Sequence, residues 1–358
     1  MNRNYLIVNI NNLQKNIKTI KKETSKKIMV VLKSNAYNMG VRALIKYVKQ
    51  ADVDFIVFNK YIEYLECVDL LENTKVLILE EVPEKYLKNI KENVRISVNS
   101  LEYIYKVLNS NSKLKIHIQV DTKMNRDGIK KVEELQEIIE VSKDKIEIEG
   151  LYTHFVGDKD DKINYLEQQE KFKKFLELYP FPIIHTAATS SLSKNLIGNY
   201  VRCGIAIYGH HANIVLKNVV NAYVPIIKIR ESLKGESVGY GATYVSSKKE
   251  KIAVLPVGYY EGFKEKFVYK GNKPLPVVGR ICMNHTFVLV DDTIKNSSWL
   301  NIFPINDKIN KDVNYYHVLT AYRNFRRIYI MEYQNDIRKI FKETNKKGFK
   351  LKQRTRSY

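Results

Sequence analysis

The chain has few cysteines and no long hydrophobic run. Its three cysteines, Cys67, Cys203 and Cys282, are too few and too scattered for a disulfide framework or a Cys-x-x-Cys metal site. Its uncharged apolar stretches, such as residues 28–32, are far shorter than the roughly 20 residues that a membrane helix needs. The first ten residues lack the features of a secretion signal. We therefore expect reduced thiols, no metal site, no membrane association and a cytoplasmic protein.

The charge of the chain is strongly one-sided. Sixty Lys and Arg residues against 39 Asp and Glu residues give the 358-residue chain a net charge of +21. Such an excess can indicate a nucleic-acid partner. Lysine is used heavily along the whole chain, however, and no zinc-finger or RNP-type motif accompanies it, so we expect no nucleic-acid role. Residues 341–358 form a separate basic tail without the apolar periodicity of a packed element.

Eight short β-branched runs in the first 220 residues predict an α/β fold. Between them, segments such as residues 101–111 and 129–142 carry apolar residues at the three-four spacing of helices. Eight buried parallel strands alternating with helices are the pattern of a (β/α)8 TIM-type barrel. A doubly wound sheet stays possible because strand order is not visible in a sequence, although no GxGxxG motif follows any run. The predicted barrel strands are residues 28–32, 54–58, 75–79, 94–98, 115–120, 146–154, 182–186 and 201–208.

The sequence pattern changes near residue 220. Beyond it, alternating segments separated by Gly, Pro and Asn predict a mostly β region. We therefore assign residues 1–220 to the barrel and residues 221–340 to a β-rich C-terminal domain, and the opening strand, residues 5–10, can pack on either. The predicted strands of the second domain are residues 222–229, 238–245, 252–257, 277–290 and 327–332.

Polar residues follow several predicted barrel strands, at the end where barrels carry their reactive groups. Lys33 comes directly after the first strand, where partial desolvation would favour the free amine that forms a Schiff base. Taken alone, a lysine that extends to solvent is the simpler interpretation. His154, His185 and Gly204 lie near the ends of the last three strands, and barrels often bind phosphate after strands seven and eight. An amine and a phosphate cradle together suit pyridoxal phosphate.

Seven motifs, in order along the chain, resemble those of the alanine racemase family, which is a fold-type III pyridoxal-phosphate family. The resemblance implies a homodimer in which the barrel of one subunit faces the β domain of the other. It further implies pyridoxal phosphate as the cofactor, alanine as the substrate, and a supply of D-alanine for cell-wall peptidoglycan. The motifs are residues 31–37 (VLKSNAY), 152–155 (YTHF), 201–209 (VRCGIAIYG), 238–244 (VGYGATY), 256–259 (PVGY), 278–283 (VGRICM) and 320–323 (TAYR).

The resemblance also implies the residues that would hold the cofactor. Lys33 would bind it covalently, and Arg202 would face its ring nitrogen. Because arginine keeps its proton near neutral pH, that nitrogen would stay unprotonated and the ring would be a weaker electron sink, which suits racemisation. The residues implied around the phosphate are Tyr37, Thr189, Gly204, Ile205 and Tyr322.

Inverting a Cα centre requires two proton carriers on opposite faces of the substrate. The resemblance assigns these roles to Lys33 and to Tyr240 of the partner subunit. A free phenol has a pKa near 10 and is a poor base at neutral pH, and in the family a chain from this tyrosine through His154 to Arg202 favours the phenolate. The remaining implied contacts are Arg126 and Met283 to the substrate carboxylate, and Tyr259 and Arg280 at the entryway.

The chain departs from the family pattern before Arg126. Gln119 stands where a carbamylated lysine is common, so the negative charge that would hold Arg126 is missing. We hypothesise that the Gln119 carbonyl, or a bound anion such as chloride, takes over this role. Lys123 and Asn125 stand where the family usually has glycine. Further departures are Ala188, Cys203 and Asn284.

Two other functions stay open at this point. The first is a pyridoxal-phosphate-dependent racemase of serine or another small amino acid. The second is a catalytically impaired homologue that binds the cofactor and whose basic surface binds a polyanion. A decarboxylase on the same barrel is disfavoured, because the Tyr240 motif is a racemase motif.

Overall fold

The computed structural model describes residues 3–110, 113–156, 162–192, 197–211, 214–303 and 315–331. The predicted basic tail, residues 341–358, lies outside the described residues. Up to residue 203 the elements are β1 (Tyr5–Asn9), α1 (Ile10–Thr24), β2 (Lys27–Val31), α2 (Lys33–Tyr37), α3 (Val41–Lys49), β3 (Phe55–Phe58), α4 (Tyr61–Leu65), β4 (Val76–Ile78), α5 (Glu84–Leu87), β5 (Val94–Val98), α6 (Leu101–Asn109), β6 (Lys115–Val120), α7 (Val132–Ser142), β7 (Glu147–Thr153), α8 (Lys162–Leu176), β8 (Ile183–Ala187) and β9 (Tyr200–Cys203).

The later elements are mostly strands. They are β10 (Val220–Pro225), β11 (Lys228–Ser232), β12 (Ser237–Val238), β13 (Tyr244–Val245), β14 (Glu250–Leu255), β15 (Phe267–Lys270), β16 (Lys273–Val278), β17 (Thr286–Val290), β18 (Trp299–Asn301), α9 (Tyr315–Thr320) and β19 (Arg326–Ile330). No helix in the described ranges is long and apolar enough to cross a membrane.

Strands β2 to β9 close into a parallel barrel in chain order. The barrel closes where β2 pairs with β9, with Lys27 opposite Tyr200. Most of their side chains are apolar because both faces of the barrel are covered, and Met29, Phe55 and Leu77 belong to one buried cluster. The (β/α)8 prediction is confirmed, and the doubly wound alternative is wrong.

The eighth barrel strand is shorter than predicted. The run over residues 201–208 was expected to be extended throughout, but β9 ends at Cys203 and a 3-10 helix covers Ile205–Tyr208. Gly204 makes the break, with φ −106° and ψ −90°. A continuous apolar run does not distinguish a strand from a buried helical turn, which explains the error.

A nine-stranded sheet dominates the later part of the chain, in the order β11-β14-β17-β16-β15-β18-β10-β1-β19. The opening strand β1 lies in this sheet and runs parallel to β19, with Tyr5 opposite Arg326. Three predicted strands are interrupted. Residues 222–229 are split between β10 and β11, residues 238–245 include the short hairpin β12-β13, and residues 277–290 are split between β16 and β17.

The chain divides into two compact units. One contains the described residues of 12–220 and 315–323, and the other contains those of 3–11, 221–303 and 324–331. Residues 315–323 therefore group with the barrel, whereas the sequence pattern placed them in the β-rich region. One hydrogen bond that ties this segment to the barrel runs from Asn38 Nδ2 to the Ala321 carbonyl, at 2.7 Å.

Candidate active site

Lys33 opens a left-handed helical turn at the end of the first barrel strand. The φ angles from Ser34 to Tyr37 are 53°, 54°, 54° and 54°, and Asn38 continues at 69°. A left-handed conformation costs L-residues about 1–2 kcal/mol each, so the surroundings must hold this turn. The Ser34 N–H donates to Glu63 Oε1 at 2.6 Å, and the Val41 N–H donates to Asn35 Oδ1 at 2.9 Å.

The Lys33 amine is partly buried and feels the charge of Arg126, which Glu63 and Glu80 oppose. Burial, together with the charge of Arg126, lowers the pKa of Lys33. Burial and the charges of Arg202, Arg126 and Lys33 lower the pKa of His154 to about 3, so its imidazole is neutral near pH 7. Groups from four different barrel strand ends thus form an electropositive site that favours a free amine and attracts anions.

Arg202, on β9, is 4% exposed and makes four contacts through its two terminal nitrogens. Nη1 lies 2.6 Å from both the carbonyl oxygen and Nδ1 of His185. Nη2 donates to the Thr153 carbonyl at 2.7 Å and lies 3.4 Å from His154 Nδ1. The Nε–H donates to none of the described residues, so it is the donor left for the ring nitrogen of a cofactor. The guanidinium fits its predicted role.

The loops after β8 and β9 form a cradle beside Tyr37, and Gly204 leaves room there for the Tyr37 hydroxyl because it lacks a side chain. An added Cβ at Gly204 would lie 2.0 Å from Tyr37 Oη. The Thr189 hydroxyl accepts a hydrogen bond from the Ala206 N–H at 3.3 Å and thereby joins the two loops. Ile205 begins the 3-10 helix, whose first N–H groups lack helical acceptors. Hydroxyls and backbone N–H groups of this kind suit a phosphate dianion.

Two neighbours of this cradle were not predicted. Asn38 holds the segment that contains the buried Tyr322, since its amide donates to the Ala321 carbonyl at 2.7 Å. Tyr208 donates its hydroxyl to the Ala36 carbonyl at 2.7 Å and so supports the left-handed turn. The signal for Asn38 was its residue type, because asparagine tolerates positive φ better than most residues. Tyr208 carried no distinguishing signal.

The Gln119 carbonyl takes a partner other than the one that the sequence suggested. Gln119 Oε1 accepts the Tyr152 hydroxyl at 2.7 Å, and its amide donates to the Asp127 carbonyl at 3.2 Å. Arg126 is exposed, and the described residues provide it with no hydrogen bond or ion pair. Asn125, where the family usually has glycine, has φ 50°, so the left-handed backbone is kept without glycine.

In the β-rich unit, a tight turn presents Tyr240. Gly239 and Gly241 flank it with φ of 75° and 72°, and the tyrosine is 68% exposed. Arg280 lies beside the turn, because a Cβ added at Gly239 would be 3.3 Å from the Arg280 carbonyl oxygen. Gly279 has φ 68° and approaches the Val238 carbonyl so closely that an added Cβ would lie 2.4 Å from it.

Tyr259 and Met283 lie on neighbouring loops of the same unit. The Tyr259 N–H donates to the Cys282 carbonyl at 3.1 Å, and the Tyr260 N–H donates to the Met283 carbonyl at 3.0 Å. An added Cβ at Gly258 would lie 2.1 Å from the Cys282 carbonyl oxygen, which explains the glycine. Tyr259 and Met283 are 56% and 54% exposed, so their apolar surfaces are unburied within this chain.

A cavity of about 480 Å³ at the opposite end of the barrel is lined by Lys75, Arg95 and Lys115, among others. These residues stand at or near the N-terminal ends of their strands. The active sites of such barrels lie at the opposite, C-terminal ends of the strands. We do not assign this cavity to the active site. The described residues contain no group of three or more His, Cys, Asp or Glu that could hold a metal.

Comparisons with known proteins agree on one family. The model of the alanine racemase N-terminal domain matches residues 8–212, and that of the C-terminal domain matches residues 219–324. The alanine racemase of Staphylococcus carnosus is 30% identical over 312 residues, which cover 80% of this chain and 81% of that protein.

Solved structures extend the likeness to the fold. The alanine racemase of Clostridium difficile 630 superposes with a TM-score of 0.82 at 27% identity, covering 92% of this chain and 96% of that one. The alanine racemase of Bartonella henselae, solved with covalently bound pyridoxal phosphate, gives a TM-score of 0.81 at 25% identity, covering 92% and 99%. Both domain models and these relatives show that the chain belongs to the alanine racemase family.

Proposed function

We propose that the protein interconverts L-alanine and D-alanine with pyridoxal phosphate, as a cytoplasmic homodimer with shared active sites, and supplies D-alanine for peptidoglycan. The observation that carries the proposal is the arrangement of Lys33, Arg202 and His154 at one end of the barrel, joined to a cradle at Gly204. The relatives that this chain resembles are named alanine racemases.

Pyridoxal phosphate, when bound, supplies an electron sink that acidifies the Cα–H of an amino acid. Lys33 would hold it covalently, and the lowered pKa of the Lys33 amine makes the nucleophilic free base more accessible. Tyr37, Thr189, Gly204, Ile205 and Tyr322 would surround the phosphate.

His154 links Arg202 to the second proton carrier. Because arginine only donates hydrogen bonds, its contact with Nδ1 leaves the His154 proton on Nε2. From there the proton can be donated to a phenolate oxygen, which would stabilise Tyr240 of the partner subunit in its basic form. Lys33 would then carry a proton on one face of the substrate and the partner's Tyr240 on the other.

Arg126 and Met283 would bind the substrate carboxylate, and Tyr259 and Arg280 would narrow the entryway. We propose that residues of the β-rich unit come from the partner subunit. Their exposure within one chain supports this, since Tyr240, Tyr259 and Met283 are each more than half exposed. The exposed Arg126 lacks a counter-charge at Gln119, so a bound anion such as chloride stays a proposal.

Chirality-resolved turnover of L-alanine and D-alanine by the enzyme with added cofactor tests this function. We expect racemisation in both directions and none with Lys33→Ala. Tyr240→Phe should slow exchange of the Cα proton more for one enantiomer than for the other, because it removes only one of the two carriers. Tyr260→Phe is the matched control, since Tyr260 is an exposed tyrosine of the same unit without an assigned role.

Equal slowing of both enantiomers by Tyr240→Phe would contradict the assignment of this tyrosine. A panel of other L-amino acids tests the alternative substrates. If serine is turned over faster than alanine, serine becomes the assigned substrate. Cofactor binding without any turnover would favour the impaired homologue.

A further inference from the structure

A continuous chain of hydrogen bonds runs through the barrel interior from Arg202. His185 Nδ1 lies 2.6 Å from Arg202 Nη1, and His185 Nε2 lies 2.8 Å from His117 Nδ1. His117 Nε2 lies 3.2 Å from Glu149 Oε2. Glu149 in turn accepts two hydrogen bonds from Arg95, at 2.7 and 2.9 Å. We call these five residues the buried relay.

The buried relay crosses strands β9, β8, β6, β7 and β5, and all five of its residues are buried, although Arg95 lines the cavity at the opposite end of the barrel. Both histidines are 0% exposed, and Glu149 is 7% exposed. Burial lowers the pKa of His117 and places that of His185 well below its usual range. Burial opposes ionisation of Glu149, but hydrogen bonds from Arg95 and His117 outweigh it and lower the pKa of the carboxyl. Both imidazoles are therefore neutral and the carboxyl is ionised.

The two ends of the relay fix the direction of every hydrogen bond in it. Arginine can only donate, so His185 accepts at Nδ1 and carries its proton on Nε2. That proton is donated to His117 Nδ1, which leaves the His117 proton on Nε2. The ionised carboxylate of Glu149 can only accept a hydrogen bond, and it accepts one from the His117 Nε2–H. A donor at one end and an acceptor at the other thus leave each histidine one permitted tautomer.

We infer that His117 and Glu149 are positioning residues that hold Arg202 in place through His185. The inference rests on the proposed function, in which Arg202 Nε faces the cofactor ring. Thr153 and His154 hold the other side of the guanidinium, so the relay completes a two-sided clamp. If the relay reversed, an N–H of His185 would face an N–H of Arg202, and Nη1 would keep only its hydrogen bond to the His185 carbonyl.

Glu149→Gln tests the relay, because an amide can donate as well as accept and no longer fixes the direction. Glu149→Asp keeps an acceptor-only group and should preserve part of the function. Glu147→Gln is the matched control, since Glu147 lies on the same strand but is exposed and pairs with Lys115. We expect Glu149→Gln to lower kcat on the order of tenfold with little change in KM, and Glu147→Gln to change neither.

Site-assigned ¹⁵N NMR of the histidine side chains in the unmodified apoprotein needs no variant. We expect His117 and His185 to be neutral and protonated at Nε2, and Glu149→Gln to give mixed tautomers. A charged imidazole, or a proton on Nδ1 of either histidine in the unmodified protein, would overturn the relay. So would full kcat in Glu149→Gln.

The two proposals fail separately. If the predicted tautomers are found but the holoenzyme does not racemise alanine, the proposed function fails and the positioning role falls with it, while the hydrogen-bond directions stand. If the holoenzyme racemises alanine but the tautomers differ, only the relay is wrong.

Discussion

Arg202 connects the two halves of the proposed chemistry at the scale of single residues. Its Nη1 contacts His185, its Nη2 contacts His154, and its Nε remains for the cofactor. Burial lowers its pKa to about 10, which still leaves the guanidinium charged near neutral pH. Burial, together with this fixed positive charge, keeps the histidines around it neutral.

The same neutral histidines predict that acid weakens the fold. His117, His154 and His185 have lowered pKa values, chiefly because they are buried, and the pKa of His154 falls to about 3. Below pH 6.5 the unfolded chain binds protons that the folded chain does not. The free energy of unfolding should therefore fall with pH from about 6.5 downward, by up to ~1.4 kcal/mol per pH unit for each histidine.

Urea unfolding of the apoprotein between pH 7 and pH 5 measures this slope. His154→Gln should reduce it by about one proton. A free energy of unfolding that is constant from pH 7 to pH 5 would contradict the buried neutral state of these residues.

At the scale of elements, the sequence predicted the eight barrel strands because buried parallel strands are continuous apolar runs. It failed where a run changes conformation without changing composition. Residues 205–208 continue the apolar pattern of β9 but form a 3-10 helix. The hairpin around Tyr240 was predicted as one strand, although Gly239 and Gly241 pointed to a turn. The left-handed turn after Lys33 had no local signal beyond its two asparagines.

Some residues of the candidate site could be predicted from the sequence and others could not. Lys33, His154 and Arg202 were predictable because they stand at strand ends and match family motifs. The buried relay was not, because His117 and Glu149 come from different strands and meet only inside the closed barrel. The partners of Gln119 were also unpredictable, since the contact to Tyr152 depends on how β6 and β7 pair.

The close approach at Gly204 gives a prediction for the cradle. The Cβ added by Gly204→Ala would lie 2.0 Å from the present position of Tyr37 Oη, so the phenol must move away. We expect the affinity of the apoprotein for pyridoxal phosphate, measured by titration of its absorbance, to fall at least about tenfold.

A double-mutant cycle separates the clash from other effects of the alanine. Once Tyr37→Ala has removed the ring, Gly204→Ala should cost little further affinity, so the two changes should not add. Unchanged affinity in Gly204→Ala alone would show that the cradle does not bind the phosphate.

At the scale of the whole molecule, each chain supplies two kinds of surface. The barrel unit carries the amine and the cradle, while the β-rich unit exposes Tyr240, Tyr259 and Met283. We propose that these exposed side chains belong to a subunit interface. A symmetric dimer would bury both copies of this surface and complete two equivalent sites.

Subunit complementation tests the central claim, that each site combines Lys33 of one subunit with Tyr240 of its partner. Lys33→Ala and Tyr240→Phe proteins would be mixed under conditions that exchange subunits, with heterodimers verified by two affinity tags. A heterodimer has one site with both residues intact, so random mixing should restore about a quarter of the unmodified racemase activity. Activity no higher than that of the separate variants, with heterodimers present, would contradict the shared site.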